Sequence, residues 1–375
     1  MTEYRIARPE EEARLVDFIN MVFSMAHCPH DFKTLEPKMY GAPGFAQHHF
    51  VAVENGLIRG VVGLMPMTLR VGEKRLKLGY IGSVSAHPYD KGAGHMKHCM
   101  ALALDAARER GYDLLVLGGQ RQRYQYFGFE QGGMSLRFAV NQRNIRHALG
   151  HIDETQVTLR PVTDPADPAL EKIYALSQRQ PLACDRPREK FWAWMHGGVA
   201  RLIAVEDGQG TVTGYIHARE NRMLELGLED EALLLPVVKA FARPYDEIVV
   251  CAQDHQRHRI RLLRGIAENS AVHDSTMLQP LHWATVIEAL LQFKAGYQAL
   301  PAGKRVIAIG EEVLAIEVAD GRVSVGPTAA PADLLCAPLE AISRLFFPGE
   351  ALLEEDPLLR AWLPLPLDLP GADHF

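Results

Sequence analysis

The sequence predicts an α/β chain (α+β in its last part) built on mixed sheets, and three observations carry that expectation. Over the first 150 residues, strand and helix patterns follow the order β-α-β-β-β-α-β-α-β. Strands joined by hairpins and then by a helical crossover require a sheet with both antiparallel and parallel neighbours. Between Val157 and Ala252 the same theme returns in weaker form, and the last hundred residues change to a β-meander followed by an amphipathic helix.

Tyr4 to Ala7 alternates as a short strand. Arg8-Pro9-Glu10-Glu11-Glu12 then opens a helix to about Phe23, because Pro and acids in the first turn favour helix starts. His49 to Glu54 is a strand, Asn55-Gly56 a hairpin turn, and Leu57 to Leu69 the return strand. Leu76 to Ala86 forms a third long strand, and Lys91-Gly92-Ala93-Gly94 leads into a helix from His95 to Arg110. Gly111 suits that helix's C-terminal cap. Asp113 to Gly118 is apolar enough for a fully buried strand, and Met134 to Val140 is expected to be the last strand of this unit.

A Pro- and Asp-rich stretch around Pro161, Asp164, Pro165 and Asp167 marks a boundary. The expected division is 1–150, 151–280 and 281–375. In the third part, Leu278 to Thr285 is a strand candidate and Val286 to Phe293 a helix. Val306–Gly310, Glu312–Val318 and Arg322–Val325 form a meander, and Pro331 to Phe346 an amphipathic helix. The tail, Leu363-Pro364-Leu365-Pro366-Leu367, holds too much proline for a helix and should run extended across a surface.

Composition narrows the function classes. Forty Lys+Arg against 46 Asp+Glu give a net charge of −6, which argues against a general nucleic-acid binder. No uncharged apolar run reaches the length of a membrane span, so no membrane partner is expected. Met1 to Arg5 resembles no export signal, and five scattered cysteines form no disulfide framework, which together suggest a cytoplasmic protein.

The segment richest in chemistry is Val84-Ser85-Ala86-His87-Pro88-Tyr89-Asp90-Lys91-Gly92-Ala93-Gly94. It joins a strand to a helix start through two glycines. Backbone N–H groups at a helix start, with the positive end of the helix dipole, attract an anion, and glycine lets a phosphate approach closely. The glycines alone fit equally a turn that merely begins a helix. A Rossmann site is disfavoured, since the full G-x-G-x-x-G is absent and antiparallel strands precede the loop.

Downstream, Tyr124-Gln125-Tyr126-Phe127-Gly128-Phe129 follows the buried strand. Together with the glycine loop it resembles the GNAT family of acyl-CoA-dependent N-acyltransferases. That family's loop reads Gln/Arg-x-x-Gly-x-Gly/Ala. Here Tyr89-Asp90-Lys91-Gly92-Ala93-Gly94 departs at its first residue and keeps the glycines. The whole chain is similar to the Eis (enhanced intracellular survival) type. That type has a GNAT domain, a degenerate second GNAT domain and a third domain like sterol carrier protein.

The resemblance implies acetyl-CoA as acyl donor, no metal, and an amine acceptor that is a small molecule or a lysine. It also implies Tyr124 as general acid, the carboxylate of Phe375 as base, and a homo-oligomer, a hexamer or smaller. Chemistry agrees with such a set: a Tyr hydroxyl can protonate a leaving thiolate, a strand N–H near Val84 can hold the thioester oxygen, and a carboxylate can take the amine's proton. A non-catalytic acyl-CoA or lipid-binding protein is the alternative.

Other residues carry plainer expectations. Tyr126 should pack. Lys97 either meets phosphate or faces solvent. His27, Cys28, His30, His48 and His49 match no zinc spacing and read as structural or pocket-lining groups. Asp254, His255, Arg257, His258, Arg259 and Arg261 read as a solvated or inter-domain face, and Met21, Met25, Met65 and Met67 as either core or an adaptable pocket. Met25 supplies no acid where aminoglycoside-modifying members carry one.

Overall fold

Local chemistry sets the first elements. The computed structural model describes residues 1–26 and 28–374. Strand β1 (Glu3–Ile6) leads into helix α1 (Glu12–Ala26) through a turn in which Arg5 holds Glu11 at 2.7 and 2.9 Å, and Glu11 accepts the Arg8 N–H. Leu15, Val16, Phe18 and Ile19 bury one face of α1. Two single-turn helices follow, α2 (Phe32–Leu35) and α3 (Pro37–Tyr40). Strands β2 (His49–Glu54) and β3 (Leu57–Val71) form the expected hairpin. Asn55 and Gly56 both have positive φ, 49° and 74°, as a tight turn matched to strand twist requires.

Strand β4 (Lys74–Ala86), helix α4 (His95–Glu109), strand β5 (Leu114–Leu117), helix α5 (Arg121–Gln125) and strand β6 (Glu130–Gly132) complete the N-terminal run. Among the described residues the first sheet has eight strands. Its path is β1-β2-β3-β4-β5, then Thr276–Pro280, then β6, with Leu182–Cys184 paired to the end of β3. Only β4 and β5 are parallel within it, so the mixed sheet expected from sequence is present.

Two strands sit elsewhere than expected. Ser135–Asn141 does not finish the first sheet but lies inside the second, between Glu247–Ala252 and Asn269–His273. The cause is local. Gly133, with φ of 82°, turns the chain out of the first sheet, and a Cβ there would meet the Leu367 carbonyl oxygen at 2.7 Å. Thr276–Pro280 then returns to fill the place beside β5, where the Thr276 hydroxyl donates to the Leu117 carbonyl at 2.9 Å.

The second sheet has seven strands among the described residues and repeats the hairpin-rich plan of the first. A third sheet of four strands pairs the meander Gly303–Ile309, Glu312–Ala319 and Arg322–Pro327 with Leu334–Cys336. The helix expected from Pro331 is shorter than its pattern and spans Pro338–Phe346. The residues just before it are extended, and Leu335 is exposed. Pro338 at the first helical turn sets that start. The stretch around Arg257, expected as a solvated or inter-domain face, is a helix from Arg257 to Ile266.

The tail is extended as expected but does not lie on a surface. Leu365, Leu367 and Leu369 are fully or almost fully buried in the largest core cluster, which also takes in Leu69 and Leu76 of the first sheet, Trp283, and Ile307 of the third sheet. Lys294 donates to the Trp362 and Pro364 carbonyls, both at 3.0 Å, and Met134 N–H donates to the Leu367 carbonyl at 2.8 Å. Among the described residues, no helix is long and apolar enough to cross a membrane.

Candidate active site

The site begins with a gap between two strands. Strands β4 and β5 pair only at Leu78–Leu114, Gly79–Leu115 and Tyr80–Val116. Beyond Tyr80, β4 continues to Ala86 on the β3 side with no partner on the β5 side. Strand β5 ends one residue later, at Leu117, so β4 keeps an open edge beyond the end of β5. An irregularity lies on the other side of this stretch, in the ladder with β3: Gly63 pairs with Gly82 and Val61 with Ser85, so Ser83 and Val84 both oppose Val62. Ser83 adopts φ of 53°, rare for a residue with a side chain. Such a bulge removes an amide from the ladder and re-aims the strand.

The glycine loop lies at one end of this gap. Gly92 and Gly94 have φ of 91° and 83°, so both require the left-handed region open to glycine. The loop is tied by Asp90 N–H to the His87 carbonyl at 2.9 Å, Ala93 N–H to the Asp90 carbonyl at 3.0 Å, and an Arg59–Asp90 ion pair at 3.3 Å. Gly94 caps α4 with no side-chain hydrogen bond, so the first N–H groups of a four-turn helix have no side-chain partner there. Tyr4 braces this end, its hydroxyl 3.0 Å from His95 Nδ1 and its ring stacked on His98. Val84 is partly buried on the open strand, while Tyr89, Lys91, Gly92 and Ala93 are exposed around the loop and Asp90 is half-buried.

Tyr124 is on α5, just after β5, the strand that borders the gap. It is 6% exposed and packs on Gly119, where a Cβ would come within 2.2 Å of the ring. Burial raises its hydroxyl pKa, against a smaller opposing effect of Arg123, so the phenol stays protonated at neutral pH. The turn beyond it is stapled by Arg121 to Glu130 at 2.6 and 2.9 Å, and Phe129 N–H donates to the Tyr124 carbonyl at 3.2 Å. Tyr126 does not pack as expected: it is 70% exposed, with the Lys97 ammonium 4.5 Å above its ring. Lys97 is exposed at the start of α4.

Sequence reasoning missed a chain of side chains behind the bulge. The Tyr40 hydroxyl meets both Ser83 Oγ and His49 Nε2, the latter at 3.0 Å, and His49 Nδ1 lies 2.9 Å from the Phe45 carbonyl. A carbonyl can only accept, so Nδ1 carries the hydrogen and Nε2 accepts from Tyr40. Burial lowers the His49 pKa to about 4 and keeps the ring neutral. The signal in the sequence was faint. Tyr40 and Ser83 belong to no motif, and His49 read as an ordinary histidine.

The tail reaches the same region. Lys38, on α3 two residues before Tyr40, is buried and donates to the carbonyls of Ala372, at 3.0 Å, and His374. Asp373 is fully buried and accepts from Cys184 N–H, Arg186 Nε and Trp194 Nε1 at 2.8 to 2.9 Å. Arg186 also holds Glu225 bidentately at 2.9 and 2.8 Å. Burial pushes the Asp373 carboxyl up, but the Arg186 charge and these hydrogen bonds outweigh it and hold the pKa below the usual value. Phe375, the expected base, lies outside the described residues, as does His27.

Among the described residues, no group of three or more His, Cys, Asp or Glu side chains is arranged to hold a metal ion. The cysteines are all free. Met65 and Met67 are core residues, whereas Met21 and Met25 are exposed. Of the Asp254 cluster, Asp254 and Arg259 are buried, and Asp254 is held by Arg257 and by Tyr297 at 2.9 and 2.8 Å. His258 and Arg261 are exposed, so the cluster is part solvated and part contact between elements.

Residues 3–132 match the acetyltransferase (GNAT) domain family, an observation that supports acyl transfer in general. No curated protein matches the chain. Solved structures that share the fold include a GCN5-related N-acetyltransferase from Anabaena variabilis (17% identity, 100% of both chains, TM-score 0.71). One from Kribbella flavida is similar (16% identity, 100% of this chain and 98% of that one, TM-score 0.70). So is Eis1 from Mycobacterium abscessus (16% identity, 100% and 99%, TM-score 0.65).

Proposed function

We propose that the chain is an acyl-CoA-dependent N-acyltransferase that passes an acetyl group from acetyl-CoA to an amine by direct attack in a ternary complex. One observation carries the reading: the open edge of β4 ends at a glycine-fronted helix start with no side-chain cap, and a buried, protonated Tyr124 sits on the helix that follows the neighbouring strand β5. The coenzyme's diphosphate would rest on Gly92, Ala93 and Gly94, with Tyr89, Asp90 and Lys91 around it. Its pantetheine arm would run along the open edge of β4.

In this reading the amine nitrogen attacks the thioester carbon. The C–N bond forms, the C–S bond breaks, and the carbonyl oxygen is held by the Val84 N–H while it carries charge. Tyr124 gives its proton to the departing sulfur. The carboxylate of Phe375 takes the proton of the amine. The path of the tail supports that assignment, since Lys38 grips the Ala372 and His374 carbonyls beside Tyr40 and Ser83.

The reading extends to a division at 1–150, 151–280 and 281–375, with a third part like sterol carrier protein. It also includes a cytoplasmic location, an amine acceptor that is a small molecule or a lysine, and a homo-oligomer, a hexamer or smaller. The test is turnover of acetyl-CoA with a panel of small amines and lysine peptides, followed as free thiol. Thiol release that depends on an amine and collapses in Tyr124→Phe is expected. Tight coenzyme binding with no turnover on any acceptor would replace this reading with that of a binding protein.

A further inference from the structure

Away from the β4–β5 gap, a cavity of about 300 Å³ opens between the second sheet and the tail. Ser135–Asn141, Glu247–Ala252 and Arg222–Leu228 supply its floor, and Asp368 to Gly371 of the tail supply a wall. Its charges do not balance. Arg137, Arg222 and Arg259 line it, with Arg219 exposed at the rim. The acids present are Glu225 and Asp368.

Each acid is engaged or neutral. Glu225 is held by Arg186 and accepts the Tyr215 hydroxyl. Arg259 is matched by Glu231 and the Leu226 carbonyl. Asp368 accepts the Ser275 hydroxyl at 2.7 Å, and burial raises its pKa to about 8 against the opposing pull of Ser275 and Arg137, so it is largely uncharged at neutral pH. Inside the rim, where Arg219 is exposed, two guanidiniums remain. Arg137 Nε is buried with no hydrogen-bond partner, and Arg222 faces the Cys251 thiol, which is no counter-charge. Arg137 lies directly across the ladder from Cys251, so both cations front one sheet face.

An unpaired guanidinium beside a cavity is costly unless an anion completes it. The planar fork of Arg matches the oxygens of a carboxylate or phosphate. Leu224, Leu369 and Pro370 add an apolar side.

We propose that this cavity binds a small molecule bearing an oxyanion, a phosphate or a carboxylate, held by Arg137 and Arg222. Because Asp368 to Gly371 wall the site and Asp373 follows two residues later, the bound anion also secures the tail against the second sheet. The site stands independently of acyl transfer.

Calorimetric titration of the intact chain with inorganic phosphate and, separately, with citrate tests it, each in saturating coenzyme A so that the glycine loop is filled. Saturable binding of either probe is expected, weakened about tenfold or more in Arg137→Gln/Arg222→Gln. The arm that binds distinguishes phosphate from carboxylate chemistry. Should the double variant not fold, Arg137→Lys serves in its place, with the same direction of effect. Wild-type protein that binds neither probe at millimolar concentration overturns the proposal, as does binding left unchanged by the substitutions.

Discussion

Replacing Arg186 by Met tests how the tail is held. Arg186 is 2% exposed and Asp373 fully buried. The guanidinium bonds Asp373 at 2.8 Å and Glu225 at 2.9 and 2.8 Å, so its removal leaves two buried carboxylates without the cation that pairs them. Breaking a buried pair in this way costs roughly 3–5 kcal/mol. At about 2 °C per kcal/mol for a chain of this size, the midpoint of thermal unfolding should fall by roughly 6–10 °C. Asp373→Asn removes one charge and leaves Arg186 with Glu225, so its loss should be smaller.

The sign of the pH effect follows from the depressed Asp373 carboxyl. Its contribution is present above the unfolded carboxylate pKa near ~3.9 and is lost as pH falls through the lower folded value. The direct readout is hydrogen exchange of amides 365–374, which should quicken in Arg186→Met at neutral pH. An unchanged unfolding midpoint with unchanged exchange in the tail would refute the reasoning.

Further outcomes are expected. Tyr124→Phe should reduce kcat by about 10²–10⁴-fold while coenzyme affinity holds, and equal turnover would remove Tyr124 as acid. Gly119→Ala should act on the same group from behind, since its Cβ would fall 2.2 Å from the ring, and steady-state kinetics should show kcat lowered. Tyr40→Phe leaves His49 Nε2 buried without its donor, at a cost of about 1–3 kcal/mol in urea unfolding, and should lower kcat more than it raises the KM for acetyl-CoA. The pKa values of His49, His217 and His255 are all lowered by burial to about 4, so stability should fall as pH drops from about 6.5 toward 4; Asp368 opposes this with a smaller rise over the same range. A urea midpoint that is the same at pH 7.5 and pH 5 would contradict that balance.

The parts of the fold that were legible in sequence are those set by neighbours along the chain. Asn55-Gly56 needs two positive φ angles, and the hairpin followed. Gly92 and Gly94 needed the same freedom, and the loop sits at a helix start. Pairing between distant strands was not legible. Ser135–Asn141 alternates equally well for either sheet, and only the turn at Gly133 and the room left beside β5 decide its place. The tail's apolar residues are spaced by prolines, a pattern that fits an exposed strap as well as a buried one. Ser83, Tyr40 and His49 come together only through the β4 bulge and α3, so no spacing could have announced them.

The traded strands make the N-terminal sheet a late structure in the life of the chain. Thr276–Pro280 lies between β5 and β6, so no nascent or truncated product ending before residue 276 can close that sheet, however complete its first 132 residues are. An excised N-terminal fragment would expose the free side of β5, an unpaired edge of Leu and Val open to pairing with other chains. Cutting the chain near residue 150, where the sequence leads one to expect a boundary, should therefore give aggregates, whereas a cut after residue 280 keeps the sheet whole.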